Sequence, residues 1–120
     1  MSDLDGKRIL IVDDEPLIAM LLEDILADLR CVIVGPAFDI PEAERLARSE
    51  AIDAAILDLN VEGRTSHSVA ALLQARRIPF VLASGYDDGS LLPGAGGTLN
   101  KPFRPHHVRA ALEDCLADTG

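Results

Sequence analysis

The sequence predicts an α/β fold built on a five-stranded parallel sheet with helices on both faces. Two observations predict it. Short apolar runs rich in Ile, Val, Leu and Ala recur at Ile9–Val12, Cys31–Val34, Ala54–Leu57, Phe80–Ala83 and, more weakly, Thr98–Leu99. Unbroken runs of this kind suit strands buried on both faces. Segments with helical periodicity lie between them, and the alternation implies right-handed crossovers between parallel strands.

The first helical segment places Ile18, Leu21, Leu22, Ile25, Leu26 and Leu29 on one stripe, with Pro16 where a first-turn proline is tolerated. The second uses Ile40, Ala43, Leu46 and Ala47, with Asp39 as N-cap and Glu42 three residues on. A third uses Val69, Leu72 and Leu73, and the last uses Val108, Ala111, Leu112, Cys115 and Leu116 after Pro105. Between Tyr86 and Gly97 the chain holds Asp87, Asp88, Gly89, Pro93, Gly94, Gly96 and Gly97. A helix there is limited to one or two turns, and the segment is expected to be short and mobile.

The chain has 120 residues, enough for one domain with a core that needs no disulfide or structural metal. Hydrophobic residues make up 48% and aromatics 3%, so that core must be aliphatic. The net charge of −9 argues against a nucleic-acid surface, which needs clustered Lys and Arg. It fits a cation-binding or basic-partner surface as well as plain solubility. Cys31 and Cys115 sit in apolar patterns and are expected to be buried thiols. No Cys/His cluster has metal-site spacing. The polar segment Met1–Lys7 is not expected to act as a signal peptide, and no apolar run approaches a membrane span. The expected location is cytoplasmic, with no membrane partner.

Ligands of open parallel sheets bind at the carboxyl ends of the strands. Here those ends read Val12-Asp13-Asp14-Glu15, Leu57-Asp58-Leu59-Asn60, Ala83-Ser84-Gly85-Tyr86 and Leu99-Asn100-Lys101-Pro102-Phe103. On one sheet edge they gather three carboxylates, a hydroxyl and an ammonium. Converging carboxylates need a cation, a raised pKa or both. Mg²⁺ suits such a site, since it accepts one or two carboxylates together with water and phosphate oxygens. Lys101 cancels part of the remaining charge. A carboxylate can attack phosphorus, and phosphoryl transfer depends mainly on positioning and charge neutralisation. Mg²⁺, Lys101 and Ser84 would then each hold one phosphoryl oxygen. Each piece also has a plain reading: Asp-Asp as a helix cap, Asp58 as a loop cap, Lys-Pro and Ser-Gly as turns. Their order at successive strand ends is what makes them specific together.

With these residues in place, the whole chain resembles the receiver domain of bacterial two-component response regulators, of the stand-alone type. The resemblance implies a flavodoxin-like doubly wound sheet of strand order 2-1-3-4-5 with five helices, the fourth short or irregular. It implies that Asp58 is the phospho-acceptor, Ser84 the switch hydroxyl and Lys101 the lysine of a Lys-Pro-Phe motif whose Lys-Pro bond is usually cis. It also implies Mg²⁺ held by Asp14, Asp58 and the backbone carbonyl of Asn60, with Asp13 reaching it through water. The partners implied are a sensor histidine kinase and a histidine phosphotransferase or downstream target protein. The sequence departs from the family at Thr98, where many receivers carry an aromatic that turns inward on phosphorylation. Pro79–Tyr86 is similar to the Pro-Phe-x-Phe-Ala-Thr-Gly-Tyr pattern of a subgroup without that aromatic, with Leu82 and Ser84 in place of Phe and Thr.

The expectation is a single receiver domain over residues 1–120 with no output domain, switching a separate partner by non-covalent contact. The loop from Tyr86 to Gly97 would carry that switch, and Tyr86 would shield the phosphoryl group from water. A phosphate sink or relay intermediate is the alternative. An aspartate-dependent phosphatase is remote, because Asp58-Leu59-Asn60 lacks the second acid of an Asp-x-Asp pair. A nucleotide or flavin binder would want a glycine- or hydroxyl-rich loop after the first strand, where Asp13-Asp14-Glu15 stands instead. His67, His106 and His107 carry no assigned role. Dimerisation is left open.

Overall fold

The computed structural model describes residues 4–84, 98–100 and 103–117. Five parallel strands form the sheet: β1 (Arg8–Val12), β2 (Val32–Ala37), β3 (Ala54–Asp58), β6 (Phe80–Ser84) and β7 (Thr98–Asn100). Their order is β2-β1-β3-β6-β7, the doubly wound arrangement expected from the sequence. A two-stranded ribbon, β4 (Asn60–Val61) with β5 (Arg64–Thr65), lies between β3 and the third helix. The helices among the described residues are α1 (Pro16–Asp28), α2 (Ile40–Ser49), α3 (His67–Ala75) and α4 (Pro105–Ala117). The helix expected within 86–97 falls outside the described residues.

Helices cover both faces of the sheet, so alternate residues of each strand enter two separate cores. Leu10, Val12, Ala55, Leu57, Phe80 and Leu82 pack with α2 and α3 on one face. Ile9, Ile11, Ala54, Ile56, Val81 and Ala83 pack with α1 and α4 on the other. All five residues of β3 are buried, as its central place requires. This explains why the strand reads as an apolar run with no polar alternation.

The helix signals act as expected. The N–H of Glu42 donates to Asp39 Oδ1 at 2.8 Å, capping α2. α1 opens on Pro16 and buries Ala19, Leu22, Ile25 and Leu26, while Leu17 and Met20 are exposed. Arg45 donates to Glu42 across one turn of α2 at 2.6 and 2.9 Å. The Arg45 guanidinium holds the Glu42 carboxyl below its usual range. At the edge remote from the strand carboxyl ends, Arg8 Nε donates to Ala51 O at 2.6 Å and Arg76 Nη1 to Ala47 O at 2.6 Å. These two arginines satisfy carbonyls left open where α2 runs into the next loop.

Two details depart from the sequence reading. Cys115 is buried, but Cys31 is only half-buried; it precedes β2 rather than opening it, and its Sγ lies 3.5 Å from Leu4 O. Burial, reinforced by the charge of Asp5, pushes the Cys31 thiol up from its ordinary value. β2 also runs three residues past Val34. Leu10 pairs with Val34 but Val12 with Ala37, so two steps of β1 match three of β2. This is a bulge at Gly35-Pro36, with Gly35 at φ +94° and a cis bond to Pro36.

A Cβ at Gly35 would sit 2.9 Å from the backbone N of Ala37. Gly35→Ala is therefore expected to lower stability by more than about 1 kcal/mol in urea melts, from both the clash and the positive φ. Asp39→Ala should lower it by about 1 kcal/mol through loss of the α2 cap.

Candidate functional site

The register of two strands creates the site. Ile11 pairs with Ile56 and Val12 with Leu57 in parallel, so Asp13 and Asp58 leave neighbouring strands at the same level. The N–H of Asp13 continues the pairing on the other side, donating to Ala37 O at 3.0 Å. Asp14 and Glu15 follow before α1 begins. Oxygen atoms of Asp13, Asp14, Glu15 and Asp58 all lie within 4.8 Å of one another. Asp13 is 1% exposed and Asp58 7%, whereas Asp14 is half-buried and Glu15 exposed. The cluster is thus a pit with a buried floor and a rim open to water.

Backbone amides orient these acids. The N–H of Glu15 donates to Asp13 Oδ1 at 2.9 Å, and the N–H of Glu62 donates to Asp14 Oδ2 at 2.8 Å. Asp58 is held through its main chain. Ser66, fully buried, donates from Oγ to the carbonyl of Asp58 at 2.7 Å and lies 3.3 Å from that of Leu59. The N–H of Leu59 donates to Ala83 O at 3.1 Å, tying the end of β3 to β6. Two carboxylate charges about 4 Å apart near a protein surface repel by about 4 kcal/mol. A cluster this tight therefore favours a bound cation.

The donor set fits Mg²⁺. Every candidate ligand is a hard oxygen, the type that magnesium prefers over sulfur or imidazole. Opposite oxygens around Mg²⁺ stand about 4.2 Å apart, close to the spread of the cluster, so small side-chain rotations or an intervening water would complete a coordination shell. Asn60, the other expected ligand, opens β4 two residues past Asp58.

Of the remaining expected site residues, Ser84 ends β6 and its backbone pairs with Asn100 of β7, one step beyond the Asp58–Ala83 pair. Lys101, Pro102 and Tyr86 lie outside the described residues. Thr98 opens β7, paired with Leu82. His67, His106 and His107 are exposed, and the carboxylate cluster gathers none of them. Two contributors escaped the sequence reading. Glu15 belongs to the cluster, and adjacency to Asp13-Asp14 was its only signal. Ser66 reads as an ordinary N-cap residue before the Val69 stripe, yet its hydroxyl turns back to β3 instead of capping α3.

A doubly wound sheet with an acidic cluster at the carboxyl ends of its first and third strands marks an α/β protein whose ligand site lies at that edge. Comparison with known proteins fixes the family: residues 9–113 match the response regulator receiver domain, and the chain belongs to that family. It is 33% identical to the transcriptional regulatory protein PdtaR of Mycobacterium tuberculosis, across 89% of this chain and 55% of that protein. It is 32% identical to the phyllosphere-induced regulator PhyR of Methylorubrum extorquens, across 92% of this chain and 44% of that protein. The chain thus spans about half the length of these curated relatives. Among solved structures, that of SdrG from Sphingomonas melonis superposes with a TM-score of 0.82 at 44% identity, covering 92% of this chain and 97% of that one. Receiver domains are signalling modules and not enzymes in the ordinary sense. No helix among the described residues is long and apolar enough to cross a membrane.

Ser66→Ala should cost about 1–3 kcal/mol of stability, because it strips a buried donor from the carbonyls at the end of β3. Chemical denaturation measures the loss, and a change below about 0.5 kcal/mol would show that the bond contributes nothing net.

Proposed function

We propose that this receiver accepts a phosphoryl group on Asp58 from a sensor histidine kinase, and that the phosphorylated form changes its binding to a separate protein. The observation that carries the reading is the position of Asp58. It ends the fully buried central strand, with its carboxylate beside those of Asp13, Asp14 and Glu15.

In this reading the Asp58 carboxylate attacks phosphorus as the bond to the donor's imidazole nitrogen breaks. The main-chain carbonyl of Asp58, bonded by Ser66, would anchor the residue that bears the attacking oxygen. Asp14, Asp58 and the Asn60 carbonyl would hold Mg²⁺ directly, and Asp13 would hold it through water. The bound ion would neutralise the acids and the phosphoryl oxygens. Lys101 would supply a further positive charge, and Ser84 a hydrogen bond to the product phosphate. Thr98 leaves no large ring to report phosphorylation from that position. The sequence expectation that residues 86–97 carry the switch falls outside the described residues.

The curated relatives are named as regulators, which supports a downstream partner over an enzymatic output.

Incubation with a small-molecule phosphodonor and Mg²⁺ should label the protein once, and Asp58→Asn should abolish the label; mass spectrometry of the intact chain reads both. A label that persists in Asp58→Asn would sink the assignment. Lys101→Ala should still be labelled but lose most of the partner response, measured as the change in partner Kd on phosphorylation. An undiminished response would remove Lys101 from the switch.

A further inference from the structure

The β4–β5 hairpin follows Asp58 directly, and its backbone reaches back to the acidic cluster. The N–H of Glu62, at the tip, donates to Asp14 Oδ2 across 48 positions of sequence. The tip is a two-residue turn between Val61 and Arg64, with Glu62 at φ 52° and Gly63 at φ 78°. Two consecutive positive φ values are the signature of the type I′ turn, and Glu62 accepts that geometry without the freedom of a glycine. The base of the hairpin is closed by the N–H of Ser66 donating to Leu59 O at 3.0 Å. Hydrogen-bonded and non-bonded pairs alternate along an antiparallel ribbon. With Leu59–Ser66 and Val61–Arg64 as bonded pairs, Asn60–Thr65 is a non-bonded one, which directs the Asn60 carbonyl out of the ribbon.

We propose that this hairpin is a positioning element for the cation site, with Glu62 as a positioning residue that acts through its amide. Its N–H occupies one oxygen of Asp14 and leaves the other for the ion, while the same ribbon turns the Asn60 carbonyl outward. The exposed side chain of Glu62 takes no part. This inference rests on the reading of Asp14, Asp58 and Asn60 as cation ligands.

Gly63 gives the test. A Cβ at Gly63 meets no atom within 4 Å, so a substitution there acts through the turn's backbone and not through a clash. Mg²⁺ titration of the whole protein, followed by amide resonances, gives the Kd of each variant, and urea melts report folding separately. Gly63→Ala should weaken Mg²⁺ binding about tenfold, the usual scale for groups that orient a metal ligand. Gly63→Asn, which tolerates positive φ better, should fall between Gly63→Ala and the parent, and it carries the test if Gly63→Ala does not fold. The proposal is overturned if both Gly63 variants bind within about twofold of the parent. A parent protein with no saturable response to Mg²⁺ would bring down the cation reading itself, an outcome distinct from normal binding that ignores the turn.

Discussion

The parallel register of β1 against β3 is the constraint on which the rest of the site depends. Pairing Val12 with Leu57 delivers two buried acids to one level of the sheet edge, and the chain must then manage their mutual repulsion. Because side chains alternate between faces, a slip of one residue would exchange the two cores as well as misplace the acids. The register is therefore enforced by the packing of Leu10, Val12 and Leu57 against α2 and α3, and of Ile9, Ile11 and Ile56 against α1 and α4. Stability of the cores and geometry of the acids are two results of one alignment.

Around that fixed point, main-chain groups do much of the orienting. Asp13 and Asp14 each accept an N–H, from Glu15 and Glu62, and the carbonyl of Asp58 accepts the Ser66 hydroxyl. Amides and carbonyls held by strand and turn geometry carry little conformational freedom, so carboxylates bonded to them lose little further entropy on meeting a ligand. Amides offer partial positive charge without filling the pit.

Much of this was legible in the sequence because the determinants are local and periodic. Apolar runs gave the strands, 3.6-residue stripes gave the helices, and Asp39 with Glu42 gave a cap that forms as read. Asp13, Asp14 and Asp58 were legible because strand ends in a parallel sheet share an edge. The β4–β5 hairpin was not, since Glu62-Gly63 lacks the Asn-Gly or Asp-Gly signature of its turn and each strand is two residues long. Ser66 was hidden because its role is a contact with a residue eight positions earlier, which no local pattern encodes. The continuation of β2 through Gly35-Pro36 was hidden for the opposite reason: those residues ordinarily end a strand, and here they make a bulge inside one.

That bulge also governs what the sheet can meet from outside. β2 lies at the edge, with Val32 42% exposed, and an edge with a regular row of amides invites another chain to add a strand. Pro36 supplies no N–H, and the extra residue throws the donors beyond it out of step with those before it. A second polypeptide could match only a few residues before losing registry. The irregularity thus works as a guard against self-templated strand addition along that edge.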